Sequence, residues 1–162
     1  MDRQAFARRQ AQEGVAMVEF AITLPLLLLL LFAIGEFGRL LFQYNSLLQA
    51  SRDAGRFVAN EAWNATLGRV ELSASLRTRT QNLAASGVAS AQTASCSPDN
   101  SVRLVPKPCP GDVAVTAVGS DHVQVTISYT FRPLIGNGLP AFIGNGTALS
   151  VPLVATTVMR AL

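Results

Sequence analysis

From Phe20 to Gly35 the chain carries no charged residue, and Leu26 to Leu31 is unbroken leucine. An apolar run of this kind reads as a helix that crosses a bilayer. Counted from Val15 to Phe42 at ~1.5 Å per residue it is about 42 Å long, enough to cross a hydrocarbon core of roughly 30 Å. Composition agrees: 49% of the residues are hydrophobic and 14% charged, against about 25% charged in an ordinary soluble domain. The uncharged heart is slightly short, so Glu19 and Glu36 at its two ends should lie near the interfaces or find partners. An acidic side chain inside a bilayer costs about 2.5–3.5 kcal/mol on the mildest scale, so Glu19 needs a reason to be there. Pro25, within the run, frees a backbone carbonyl and can kink the helix.

The residues leave several readings of this segment. As a secretory signal, Ala33-Ile34-Gly35 is a weak small-x-small cleavage site, but the region before it contains Glu13 and Glu19. A plain single-pass anchor is the second reading. Orientation is only weakly constrained by charge, because Arg3, Arg8 and Arg9 on one side face Arg39, Arg52 and Arg56 on the other. Cys96 and Cys109 weigh more. They flank a Pro-, Ser- and Asn-rich segment without C-x-x-C spacing, and the single His122 cannot complete a zinc site with them. A disulfide closing a short loop is the favoured reading, two free thiols the alternative. A disulfide would place the C-terminal part in an oxidising compartment.

Helical spacing continues past the membrane through Leu40, Leu41, Tyr44, Leu47, Leu48, Ser51, Gly55 and Val58, with Arg39, Gln43, Gln49, Arg52, Asp53 and Arg56 on the remainder. One helix is therefore expected from about Val15 to Asn60, apolar all round in its first half and amphipathic in its second. A second helix is expected from about Leu67 to Ala85, with Gly87 as C-cap. Beyond Ser86 the texture changes to loop and then strand. Val113, Val115 and Ala117 alternate on one limb, and Val123, Val125, Ile127, Tyr129 and Phe131 on the next, with Gly119 to His122 as the turn. A third strand is expected from Ala148 to Met159. The fold class is α+β: a long N-terminal transmembrane helix continuing into an amphipathic helix, packed on a small antiparallel sheet. Ile135-Gly136-Asn137-Gly138 recurs as Ile143-Gly144-Asn145-Gly146. This reads as two turns, with an exposed contact loop as the sharper alternative.

Catalytic chemistry finds little support. One histidine excludes a His cluster and makes a Ser-His-Asp set untenable, and His122 in a turn reads as solvated. There is no Walker loop, and Gly136-x-Gly138 lacks the third glycine of a dinucleotide site. Net charge is +3 with scattered basic residues, which gives nucleic acid no stripe to bind. Asn64-Ala65-Thr66 and Asn145-Gly146-Thr147 match the glycosylation sequon, a pattern common by chance. No cofactor, no metal and no enzymatic activity are expected.

Glu19 acquires a partner if the chain is cut after Gly14. Val15 then carries a new amine, largely cationic at neutral pH. Val15 and Glu19 share a helix face, one turn apart. The amine can pair with Glu19 of its own chain or of a neighbouring copy, which relieves the cost of burying either charge. Cutting would thereby be coupled to assembly.

Gly14-Val15-Ala16-Met17-Val18-Glu19-Phe20 resembles the cleavage motif of type IV prepilin-like proteins, and Glu19-Phe20 the version found in the tight adherence (Flp pilus) system. The continuation, with Leu24-Pro25, Glu36-Phe37-Gly38-Arg39 and Ala54-Gly55-Arg56, is similar to the TadE-like family; Val125 to Leu134 and Thr156 to Arg160 agree more loosely. The resemblance implies a minor pseudopilin needed to assemble Flp pili for surface adherence and biofilm. It implies a leader, residues 1–14, removed by a prepilin peptidase between Gly14 and Val15, with Glu19 and Phe20 serving assembly. The implied partners are that peptidase, a sister pseudopilin, the major Flp pilin, the inner-membrane assembly platform with its ATPase, and the lipid bilayer, with no nucleic acid. The expected organisation is a transmembrane helix at 15–38, an amphipathic helical region at 39–86 and an exported β-rich domain at 87–162. The N-terminus would be cytoplasmic and the C-terminal domain periplasmic, on the inner membrane or carried into the pilus. The rivals are an uncleaved single-pass binding protein with an exported α+β domain, and a secreted module released after Gly35.

Overall fold

The computed structural model of the chain describes residues 3–92, 96, 105–134 and 150–162, with side chains from Val15 onward. The chain divides into two compact units, Met1–Gly38 and Arg39–Leu162. Helix α1 (Arg3–Glu61) supplies the first unit and continues into the second. It begins well before Val15 because the polar segment ahead of the apolar run is rich in Ala, Gln and Arg, all strong helix formers.

In the second unit, α1 is followed by strand β1 (Trp63–Asn64), strand β2 (Arg69–Val70) and helix α2 (Ala74–Ser86). A single 3-10 turn (Pro110–Asp112) then leads into β3 (Val113–Val118), β4 (His122–Phe131) and β5 (Val151–Arg160). The last three strands form an antiparallel meander in the order β3-β4-β5. Val113 opposes Ile127 across the first pair, and Ile127 opposes Ala155 across the second. The architecture is α+β with a long N-terminal helix, as the sequence pattern predicts. Pro152 sits in β5, which is tolerated because β5 pairs on one side only among the described residues.

One expected boundary moves within the second unit. The second helix starts at Ala74, not Leu67, because local polar chemistry claims the residues between. The Asn64 side-chain oxygen accepts from the backbone N–H groups of Thr66 (3.0 Å) and Leu67 (3.2 Å), and Gly68 turns the chain at φ 61°. These features close a two-stranded hairpin, β1 to β2. Ser73 then caps α2, its hydroxyl accepting from Leu76 N–H at 3.2 Å. Gly87 ends the helix in the left-handed conformation, φ 77°, as expected. The third strand runs Val151–Arg160, so its expected start at Ala148 lies outside the described residues, as do the Ile-Gly-Asn-Gly repeat and the Asn145 sequon.

The core lies between the sheet and the second half of α1, closed at the β3 side by α2. Leu47, Ala54 and Val58 of α1 meet Val113, Val115, Val123, Val125, Ile127, Leu153 and Ala155 of the sheet, each buried. Leu76 and Ala84 of α2 complete it, and Gln81 Nε2 donates to the Val113 carbonyl at 2.9 Å, tying α2 to the edge of β3.

The covered face of α1 is rotated from the one its leucines advertise. Leu41 (43% exposed) and Tyr44 (36%) face outward, whereas Gln43 is 1% exposed. The face that packs runs Gln43, Leu47, Ser51, Ala54, Val58, at helical spacing. Small residues at its centre explain the choice, because they let β5 approach closely. Ser51 Oγ lies 2.8 Å from Thr157 Oγ1. A Cβ at Gly55 would meet the side chains of Met159 and Thr157 at 3.4 Å.

Candidate assembly segment

Every described side chain from Val15 to Gly35 is exposed. Val15 is 68% accessible, Met17 74%, Phe20 60%, and the leucines at 26–31 lie between 44% and 65%. Water does not tolerate a continuous apolar surface of this extent, so a lipid or protein environment must cover it. Among the described residues α1 is the one helix long and apolar enough to cross a membrane.

Within this segment α1 passes through Gly14 and Val15 without a break. Val15 and Glu19 therefore stand one turn apart, and Glu19 and Phe20 are both exposed. Pro25 lacks the N–H that would bond the Ala21 carbonyl, so that carbonyl must be satisfied by packing or water. Thr23 Oγ1 donates to the Phe20 carbonyl at 3.3 Å, a second local adjustment of the backbone ladder before the proline.

Among its described residues the second unit holds no chemistry-bearing constellation of comparable extent. His122 is not merely solvated: its Nδ1 lies 2.8 Å from Asp121 Oδ1, and Arg160 Nε lies 3.5 Å from the other carboxylate oxygen. This cluster ties the β3–β4 turn to the end of β5. The depression beside the β1–β2 hairpin is lined by Glu61, Asn64, Glu71 and Arg79 among others. Their polar groups bond one another: Arg79 Nη1 to Glu61 at 2.7 Å and Asn64 Nδ2 to Glu71 at 2.6 Å. Among the described residues no group of three or more metal-ligating side chains occurs.

Cys96 and Cys109 are disulfide-bonded, with Cα atoms 5.6 Å apart. Cys109 sits at the start of the 3-10 turn, where its backbone N–H donates to Asp112 Oδ2 at 3.0 Å. Asn82, buried at 1%, holds the approach to the loop from the other side, donating through Nδ2 to the carbonyls of Ser90 (2.7 Å) and Gln92 (2.6 Å). Closing a loop of sequence separation 13 should contribute about 3 kcal/mol. Replacing both cysteines by serine should lower the unfolding free energy of the full chain by that amount, read as a lower urea midpoint. An unaltered midpoint would show that the bridge stabilises nothing.

Sequence reasoning missed three contacts that organise the second unit: Arg39 with Phe131 and Arg132, Ser51 with Thr157, and Asn82 with the loop before Cys96. The first two join residues 93 and 106 positions apart, and no local pattern signals them.

The family model described as TadE-like protein matches residues 14–56. The match begins at Gly14 and lies wholly within α1, so it covers the apolar segment and most of the helix face that packs on the sheet. No curated protein and no solved structure matches the chain.

Proposed function

We propose that this chain, TadE-like over residues 14–56, is a pilus-associated assembly protein of the tight adherence type, and specifically a minor pseudopilin. The observation that carries the reading is the coincidence of three features at one place. The family match opens at Gly14, the fully exposed apolar helix follows it at once, and Glu19 stands one turn after Val15 on that helix. A prepilin peptidase removes residues 1–14. The new Val15 amine then neutralises Glu19 of its own or a neighbouring chain as helices pack in lipid. Phe20 packs beside that pair.

In this reading the N-terminus is cytoplasmic, and the disulfide-bearing domain is exported to the oxidising side of the inner membrane. Its partners are the peptidase, a sister pseudopilin, the major pilin and the assembly platform with its ATPase. The protein performs no reaction; the chemistry is done to it.

The test is the N-terminal mass of the chain extracted from membranes, with and without a co-expressed prepilin peptidase. A chain starting at Val15 only when the peptidase is present is the expected result. A chain starting at Met1 in both cases would overturn the pseudopilin reading and leave an uncleaved anchor. A soluble product starting at Glu36 would make the apolar run a signal peptide.

A further inference from the structure

The free edge of β3 carries backbone groups that the rest of the fold does not use. Gln81 Nε2 donates to the Val113 carbonyl at 2.9 Å, so that carbonyl points away from β4. Groups that point away from the partner strand alternate along an antiparallel ladder. The N–H and C=O of Ala117, at the same parity as Val113, therefore point outward too. The far side of the sheet keeps this alternation. Ala161 N–H donates to the Asp121 carbonyl between β4 and β5, which leaves the even-numbered residues of β4 to bond β3. Gln81 takes the Val113 carbonyl, whereas the exposed Ala117 has no such partner among the described residues.

A cavity of about 560 Å³ opens against this edge. Its opposite wall is the extended segment Arg69–Leu72, and Arg77 of α2 flanks it. Val70 N–H donates to the Ser120 carbonyl at 2.8 Å and ties the two walls together. Charge in the cavity is one-sided. Arg69 and Arg77 are both exposed, and no described carboxylate forms an ion pair with either. Glu71 lines the cavity as well, but its Oε2 accepts from Asn64 Nδ2 at 2.6 Å. The depression lined by Glu61 and Arg79 satisfies its own charges. This one leaves two guanidinium groups open beside an open strand edge.

We propose that this cavity docks an extended, acidic segment of a partner protein, which adds to the edge of β3 at Ala117 and sets its carboxylates against Arg69 and Arg77. Main-chain hydrogen bonds supply the attachment, and the two guanidinium groups supply the preference for acid. A peptide is the occupant that fits both walls. Ala117 offers a donor and an acceptor side by side, which a peptide backbone matches and a phosphodiester, having no donor, does not. Among the described residues no aromatic ring lines the cavity, so a nucleobase finds no stacking platform there. The volume falls in the range of about 300–1,000 Å³ that takes ligands of many atoms rather than a single inorganic anion. The whole site lies within the second unit, so it depends neither on cutting after Gly14 nor on what surrounds the apolar segment.

The test is fluorescence anisotropy of the full chain in zwitterionic detergent with a labelled, end-blocked octapeptide that alternates threonine and glutamate. Its glutamine counterpart and a single-stranded oligothymidylate are the comparisons. The acidic peptide should bind about tenfold more tightly than the glutamine peptide and more tightly than the oligonucleotide, and added salt should weaken it. Arg69→Ala and Arg77→Ala should each weaken it up to about fivefold, the scale of one exposed ion pair. Arg56→Ala, which removes the same charge from an exposed position of α1 outside the cavity, should leave binding unchanged. N-methylation of the acidic peptide's backbone keeps its charge, removes its donors and should abolish binding. Amide exchange at Ala117 of the unaltered chain should slow when the acidic peptide is bound, a reading that needs no variant to fold. Equal binding of the glutamine peptide, an equal effect of Arg56→Ala, binding kept after N-methylation, or an Ala117 amide that does not respond would each overturn the proposal. Tighter binding of the oligonucleotide would overturn it too, and would assign the cavity to nucleic acid.

Discussion

Glu19→Ala should leave the chain in the membrane and remove it from assembly. Insertion should be unharmed or improved, since the substitution takes a carboxylate out of an apolar helix and spares about 2.5–3.5 kcal/mol on insertion scales. On the proposed function, assembly should fall because the Val15 amine that cutting would produce then has no counter-charge. Leaving one member of a buried ion pair unpaired typically costs about 3–5 kcal/mol, a factor of 100 or more in an association equilibrium. The measurement is paired: membrane-extracted protein and sheared surface filament from the same cells. Membrane protein at the parent level with filament reduced at least a hundredfold is the expected result. Glu19→Gln should behave like the alanine variant, because the amide keeps the shape and loses the charge. Filament yield unchanged in either variant would remove Glu19 from assembly and favour an uncleaved anchor.

Ile127→Ala should destabilise the second unit by about 2–5 kcal/mol, a large share of the ~5–15 kcal/mol that a domain possesses. Ile127 is 0% exposed, lies on the central strand and is flanked by Val113 and Ala155. Truncating it opens a cavity where β4 faces the helix, and neither neighbouring strand can collapse into the space without breaking its ladder. Ser128→Ala, one residue along on the exposed face, should change stability by less than about 0.5 kcal/mol. Chemical denaturation of the full chain in detergent, followed by far-UV circular dichroism, separates the two. Equal effects at 127 and 128 would contradict the assignment of the two faces of the sheet.

Local pattern carried the elements with a strong period. The hairpin from Val113 to Phe131 was legible because alternation over both limbs and a glycine turn agree, and Gly119 does turn at φ 70°. The end of α2 was legible because Gly87 supplies the left-handed cap. Its beginning was not, because Leu67, Val70 and Leu72 continue a helical spacing that the Asn64 turn and the Ser73 cap interrupt. The assembly candidates Gly14, Val15, Glu19 and Phe20 are drawn from the sequence alone, where a carboxylate in an apolar run stands out without any knowledge of its surroundings, and their role belongs to the proposed function. The role of Gln43 was hidden for the opposite reason. A polar residue between leucines reads as the wet face, and only the approach of the sheet makes it the dry one.

The sequence by itself determined that α1 is a long helix whose first half is long and apolar enough to cross a membrane, since the cost of exposing Phe20 to Gly35 to water depends on nothing beyond those residues. It determined the alternation of β3 and β4 and the class of the fold for the same reason: side-chain period is a local property. Only the tertiary structure decided which face of residues 39–61 is covered. That choice depends on Ser51, Ala54 and Gly55 being small enough for Thr157 and Met159 to reach the helix. It alone decided that Arg39 would hold Phe131 and Arg132. Contacts between residues so far apart in the chain form only once the sheet has closed on the helix, and no periodicity in either segment encodes its partner.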